Sequence, residues 1–339
     1  MLAEGLTSSG RLAFLRGRLG RSTPGEPLLL LTHGAGFNAG VWRPTLQHLP
    51  ATLPATLSAE VISLDWTGHG SSQSPSGSGV SAERYEWGAI APRDVFELLG
   101  ECRRAGQPVF GIGHSFGGAG LLLAELERPG TFSGLVLIEP IVRPSDLQAS
   151  HPLVERTMRR RAHFALSSAV QLVDHFAKRA YASWHRDALT GYVERGFRST
   201  GAESHSFELT CAPETEASVY LGGMQNGVWE ALPRVACPCT LAAGEKSETL
   251  AIDSATSNEG MHRLIAARLS GCKLPLALAL GCGHSVPMEN PAWTARLIAA
   301  SLAHFTSLHS TSPACEAACE WAQLQAEQPH GLGSPRSRL

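Results

Sequence analysis

The chain has 339 residues, 43% hydrophobic and 17% charged, which is ample apolar material for a large core and too little charge for a disordered polyelectrolyte. Lysine and arginine number 28 against 30 aspartates and glutamates, a formal charge of −2, so neither nucleic acid nor an anionic membrane surface is the expected partner. No apolar run reaches bilayer-spanning length and residues 1–30 lack a basic segment leading into an apolar one, so an intracellular globular protein is expected.

In chain order, Leu28–Thr32 is a short apolar run stopped by His33-Gly34-Ala35-Gly36 and reads as a buried strand entering a turn. Val61–Asp65 repeats the pattern and stops at Gly68-His69-Gly70, before a Ser/Gly/Pro loop at 71–79. A helix is predicted over Glu83–Arg104, a strand over Val109–Ile112, a helix over Ala119–Glu127 and a strand over Leu135–Ile138. Residues 141–234 break the rhythm, with helical patterns at Thr157–Leu166, Ala169–Trp184, Ala188–Arg198 and Glu214–Gly222 and no convincing strand. Strands return at Cys239–Ala243 and Leu274–Leu280. Such alternation implies an α/β fold, a mostly parallel central sheet flanked by helices. The implied division is a hydrophobic core from 1–140 and 235–307, an all-helical cap at 141–234 inserted after the strand ending at Glu139, and a flexible tail at 308–339. A cap placed there lies over the strands' C-terminal edge, where open α/β sheets bind ligands. Its Phe164, Leu166, Val170, Leu172, Val173, Phe176, Tyr181 and Trp184 either line an apolar chamber or glue cap to core. The eight cysteines are scattered, and Cys237 and Cys239 stand too close for a zinc hairpin, so reduced thiols and no metal are expected.

The chemistry concentrates at Gly113-His114-Ser115-Phe116-Gly117, a G-x-S-x-G turn with a strand before it and a helix after it. A serine on so sharp a bend is strained, and glycines two before and two after let neighbouring backbone pass without a Cβ clash. The hydroxyl is thereby lifted above the sheet edge, beside a helix N-terminus that favours negative charge.

The sequence resembles the α/β-hydrolase superfamily over about residues 25–305. His33-Gly34 resembles the family's oxyanion loop, and Asp65-Trp66-Thr67-Gly68-His69-Gly70 its D-x-R-G-H-G turn, with Thr67 in place of arginine. Gly283-His284-Ser285-Val286-Pro287 resembles the loop carrying the catalytic histidine. The resemblance implies Ser115 as nucleophile, His284 as base, and an oxyanion hole from the backbone N–H groups of Ala35 and Phe116, with no metal and no cofactor. It makes His33, His69 and His114, among 14 histidines, structural or hydrogen-bonding positions. Many members carry the triad aspartate in a Gly-x-x-Asp setting after the penultimate strand; here that stretch is Gly244-Glu245-Lys246-Ser247, and serine carries no charge to steady an imidazolium. A minority branch places the carboxylate one strand after the nucleophile strand, where Glu139 stands, with Glu248 or Asp253 as substitutes.

The implied activity is hydrolysis of a carboxylic ester or thioester with an apolar acyl part; the alternative is a catalytically silent fold that binds a ligand or partner, supported by Ser247. Ser337-Arg338-Leu339 is similar to the small–basic–leucine ending read by the peroxisomal import receptor. The pairing of a serine elbow with that ending resembles, more loosely than the superfamily match, the peroxisomal lipase-like hydrolases of yeasts and the peroxisomal hydrolases of fungal toxin clusters. A peroxisomal address is therefore expected in a eukaryote and a cytoplasmic one otherwise.

Overall fold

Five apolar segments, Leu28–Thr32 (β3), Ala59–Leu64 (β4), Val109–His114 (β5), Gly134–Ile138 (β6) and Cys239–Gly244 (β10), are buried at every residue, as strands covered on both faces must be. They belong to a computed structural model that describes residues 2–54, 57–74, 85–144, 152–200, 206–223, 226–251, 257–308, 321, 323 and 324. An eight-stranded sheet in the order β1-β2-β4-β3-β5-β6-β10-β11 is completed by Ala3–Leu6 (β1), Ala13–Leu19 (β2) and Ala277–Ala279 (β11). From β4 to β11 all pairings are parallel, whereas β1 and β2 join antiparallel at the edge. In the edge hairpin a short apolar run, Leu12–Leu15, gives way to Arg16 and Arg18, which face outward to pair with Glu60 and Glu26.

Side chains alternate across the sheet with period 2. Leu29, Leu31, Ile112 and Val136 pack on one face with the long helix Pro291–Ser307, while Leu28, Leu30, Leu135 and Leu137 pack on the other with Trp87–Cys102 (α2) and Phe116–Glu127 (α3). Arg43–Thr52 (α1) also lies on the first face. The parallel strands end level: Thr32 pairs with Gly113, Gly113 with Leu137, and Ile138 with both His114 and Ala242. The turns after β3, β5, β6 and β10 therefore open on one edge.

The insertion over that edge contains helices Pro152–Met158 (α4), Ala169–Ala177 (α5), Arg186–Gly196 (α6) and Pro213–Gly222 (α7). It is not all-helical as expected. His163–Phe164 (β7), Phe197–Ser199 (β8) and Phe207–Leu209 (β9) form an antiparallel sheet in the order β7-β9-β8. Strands of two and three residues are too short to show alternation in sequence, and pairing creates them, β9 meeting β8 some 10 positions back and β7 some 45 positions back. Of the expected cap helices, Ala188–Arg198 stops at Gly196 and Ala169–Trp184 at Ala177, whereas Thr157–Leu166 is not a helix: α4 ends at Met158 and β7 lies within it. The strand expected over Leu274–Leu280 shrinks to three residues, since Pro275 has no N–H to give a ladder. Val228–Ala231 (α8) leads back to the core, where Asn258–Arg268 (α9), Val286–Glu289 (α10) and Pro291–Ser307 (α11) complete it. No described helix is long and apolar enough to cross a membrane. The tail expected at 308–339, with its terminal tripeptide, lies outside the described residues apart from 308, 321, 323 and 324.

The apolar cap residues serve as glue. Phe164, Leu172, Val173, Phe176 and Trp184 are buried in one cluster with Tyr192, Phe197 and Trp42, Leu166 and Tyr181 pack against it, and Val170 faces outward, 62% exposed. A buried ion pair joins cap to core: Arg195 of α6 donates from Nε to Asp65 Oδ2 at 2.7 Å, at the turn after β4. Asp65 also accepts the backbone N–H groups of Ala39 at 2.6 Å and Ser71 at 2.9 Å. Replacing Arg195 by Ala strands the Asp65 charge in the interior and is expected to cost about 3–5 kcal/mol in urea denaturation. A loss under about 1 kcal/mol, the range of a surface pair, would show that the pin bears no weight.

Candidate active site

Ser115 leaves β5 and caps α3 with φ 57° and ψ −122°, a backbone conformation that costs a non-glycine residue about 1–3 kcal/mol. Glycine is required on either side. A Cβ on Gly113 would stand 2.6 Å from the Gly118 Cα, and one on Gly117 2.5 Å from the Thr32 carbonyl oxygen. The bend is held by Ser115 N–H donating to the Ile138 carbonyl at 3.0 Å and by Ile141 N–H donating to the Ser115 carbonyl at 3.3 Å. The serine is 7% exposed.

His284, on the turn between β11 and α10, brings its Nε2 to 2.9 Å from Ser115 Oγ and its Nδ1 to 2.9 Å from Glu139 Oε2. An ionised carboxylate only accepts, so Nδ1 carries the proton and Nε2 is left to accept the serine O–H. The ring is steadied from behind by His114, whose Nε2–H donates to the His284 carbonyl at 2.9 Å. Glu139 is fully buried at the end of β6 with φ 50°, the second strained non-glycine residue among those described. Besides His284, its carboxylate accepts Gly244 N–H at 2.7 Å, the Ser247 hydroxyl at 2.8 Å and the Asn258 amide at 3.0 Å. Burial works against the charged form, but the bonds from His284 and Ser247 and the nearby His262 outweigh it and hold the group at about 2.

The structure thus brings Ser115, His284 and Glu139 together and does not bring Glu248, which is exposed; Asp253 lies outside the described residues. Ser247, at the position where an aspartate was expected, donates to the Glu139 carboxylate instead. Asn258 escaped the sequence reading, since nothing local distinguishes an asparagine in a helix's first turn from the surface residue it usually is.

Phe116 is the first residue of α3, so its N–H has no carbonyl one turn back to bond. The loop holding Ala35 passes directly against the serine, for a Cβ on Gly34 would sit 3.0 Å from Ser115 Cβ. Two histidines brace that loop. His33 donates from Nδ1 to the Gly34 carbonyl at 2.8 Å and accepts Trp66 N–H at 3.3 Å, while His69 Nε2 accepts Gly36 N–H at 3.1 Å. Burial keeps all three motif histidines neutral: His33 falls well below its ordinary value, His69 to about 4 and His114 to about 3. Thr67, where the family pattern has arginine, donates its hydroxyl to Asp94 at 3.0 Å, and the guanidinium groups of Arg11 and Arg93 flank that carboxylate. Among the described residues no cluster of His, Cys, Asp and Glu suits a metal ion, and the six described cysteines form no disulfide with one another.

A mostly parallel sheet with a serine elbow, a histidine after the last strand and a carboxylate at a strand end defines an α/β-hydrolase architecture. Residues 29–297 match the alpha/beta hydrolase family, and the chain belongs to it. Human monoglyceride lipase is 32% identical over 139 residues, 40% of this chain and 42% of the lipase, and the rat enzyme is 31% identical over 147. The chain thus spans less than half the length of the curated relatives it matches. Among solved structures, the peroxisomal α/β-hydrolase Lpx1 of Saccharomyces cerevisiae superposes with a TM-score of 0.68 at 18% identity, covering 92% of this chain and 88% of that one. E-2-(acetamidomethylene)succinate hydrolase gives 0.67 at 19% identity over 89% and 100% of the two chains, respectively. The thioesterase domain of the curacin biosynthetic pathway gives 0.65 at 17% over 88% and 99%. At such identities the likeness is one of fold.

The Glu139 environment sets a pH dependence. Its folded value near 2 lies below the ordinary 4.5, so the stability it contributes is present above 4.5 and is lost as pH falls toward 2. The stability gap between wild type and Glu139→Gln, measured by urea denaturation, is expected to narrow by about 2 kcal/mol between about pH 6 and about pH 3. A gap that does not change with pH would mean the carboxylate is not held ionised by its donors.

Proposed function

We propose that this hydrolase-family chain is a serine hydrolase cleaving a carboxylic ester or thioester through an acyl-enzyme on Ser115. The observation that carries the reading is the unbroken pair of 2.9 Å hydrogen bonds from Ser115 through His284 to a buried, ionised Glu139. Serine is a weak nucleophile at its own pKa and needs a base at this distance. His284 Nε2 takes the hydroxyl proton as Oγ attacks the acyl carbonyl. Glu139 steadies the resulting imidazolium and keeps the ring in the tautomer with Nδ1 protonated. The Ala35 and Phe116 N–H groups, with the N-terminal end of α3, receive the oxyanion. His284 then protonates the departing alcohol or thiol, and water deprotonated by the same nitrogen releases the acid.

The monoglyceride lipase relatives and the curacin thioesterase domain agree with ester or thioester chemistry, by the activities their names state. An apolar acyl part is supported by the half-buried Phe37, whose ring centroid lies 6.3 Å from that of His114 and 5.1 Å from that of Trp184. The case for a silent fold rested on the absent carboxylate at 247, and Ser247 loses that force as a donor to Glu139. The division into core, cap and tail at 140, 234 and 307 is likewise proposed. Where Leu339 is the free C-terminus, Ser337-Arg338-Leu339 is proposed as an address for the peroxisomal import receptor, a reading that the fold of Lpx1 accompanies but does not carry.

A fluorophosphonate probe is expected to label wild-type protein and to spare Ser115→Ala; folded wild type that resists the probe would favour the silent binding fold. Turnover of p-nitrophenyl esters in Glu139→Gln is expected to fall roughly a thousand-fold or more, by the precedent of triad acids, while Glu248→Gln stays near wild type. The reverse pattern would remove Glu139 from the triad. Deleting the last three residues of a fluorescent fusion should move it from peroxisomes to the cytosol; unchanged distribution would discard the address.

A further inference from the structure

Above the oxyanion loop the cap presents a polar cluster that the triad does not use. Arg160, just past α4, forms an ion pair with Glu216 of α7 and donates from Nη2 to the Tyr192 hydroxyl of α6 at 2.7 Å. The Tyr220 hydroxyl, one turn along α7, donates to Glu216 Oε1 at 3.0 Å. The cluster presses on the backbone of the loop. A Cβ on Gly36 would lie 2.5–2.9 Å from the Glu216 carboxylate atoms, so only glycine admits the cap carboxylate beside Ala35. Phe37, next along the loop, bridges to the triad: its ring centroid is 6.0 Å from that of Tyr192 and 6.3 Å from that of His114, which itself stands 5.0 Å from His284.

A carboxylate next to oxyanion donors opposes the negative charge developing there, and a buried ion pair is a poor source of stability compared with apolar packing. The paired Arg160 cancels that charge, so the cluster is close to neutral and gains little from an ionic ligand. Its hydrogen-bonding capacity is not used up. A carboxylate offers about four acceptor sites, and among the described residues Glu216 receives only Arg160 and Tyr220. Glu216 and Tyr192 are buried, while Arg160 and Tyr220 beside them are half-buried.

We propose that Arg160, Glu216, Tyr192 and Tyr220 form a recognition site for a hydroxyl group of the substrate, donated to Glu216 and accepting from the guanidinium or a phenol. The hydroxyl lies close to the scissile carbonyl, on the acyl or the alcohol side. The proposal rests on the serine-hydrolase reading and names the substrate class within it: a hydroxylated ester in preference to a plain one. A site built to hydrogen-bond a substrate hydroxyl discriminates against an analogue lacking it, because the buried acceptor then keeps an unfilled lone pair.

The test compares ethyl butyrate, ethyl 3-hydroxybutyrate and glyceryl monobutyrate, the last two carrying the hydroxyl on the acyl and alcohol sides. Wild type is expected to favour one hydroxylated ester over ethyl butyrate by about ten-fold or more in kcat/KM. In Glu216→Gln and in Tyr220→Phe that ratio is expected to fall at least about five-fold, through KM. Tyr220→Phe removes a single oxygen and keeps the test alive should the Glu216 variant misfold. A fluorophosphonate-reactive enzyme with no preference for a hydroxylated ester, or with a preference that survives both variants, overturns this proposal alone. An enzyme inert to the probe and to all three esters overturns the hydrolase reading and this proposal with it.

Discussion

The buried carboxylate of Glu139 is the constraint around which the site is organised. A charge removed from water at a strand end is tolerated only when its lone pairs are filled, and here four donors fill them from three directions. Gly244 supplies the end of the neighbouring strand, Ser247 and Asn258 the segment beyond it, and His284 the turn after the last strand. The carboxylate thus ties three separate stretches of the second half of the core to one point. That point fixes the tautomer and direction of the imidazole, and the imidazole in turn meets the serine.

Strain is distributed in the same way. Ser115 and Glu139 are the two described non-glycine residues with positive φ, and both follow the last residue of a buried parallel strand. Each turns its side chain out of the sheet's plane at the level edge created by the strand register. Packing on both faces of the sheet supplies the free energy that keeps such conformations populated. The flanking glycines remove the clashes that would otherwise add to the cost.

The cap is attached by polar chemistry as well as by aromatic packing. Arg195 reaches Asp65 in the core, and Glu216, paired with Arg160, meets the loop after β3 at Gly36. The apolar cap side chains are committed to holding its helices and small sheet together. Where the cap meets the loop it brings phenols and one ion pair, Tyr192, Tyr220 and Arg160 with Glu216, and the loop adds the ring of Phe37.

The apolar runs, the glycine spacing about Ser115 and the order of the four motifs determine the parallel sheet and the elbow and single out His284, because each depends on residues adjacent in the chain. The N-terminal hairpin and the small sheet in the cap were not legible, since their strands are short or mixed in character and are anchored by distant partners, β2 by β4 and β7 by β9, each some 40–50 positions away. For the same reason the carboxylate that meets His284 could only be named among alternatives. Glu139 and Glu248 differ little as letters, and what separates them is a pocket of donors assembled from residues 105 to 145 positions downstream of Glu139. Local conformation is written in neighbouring residues, whereas the burial and hydrogen bonding that keep a carboxylate ionised are decided only when distant segments pack.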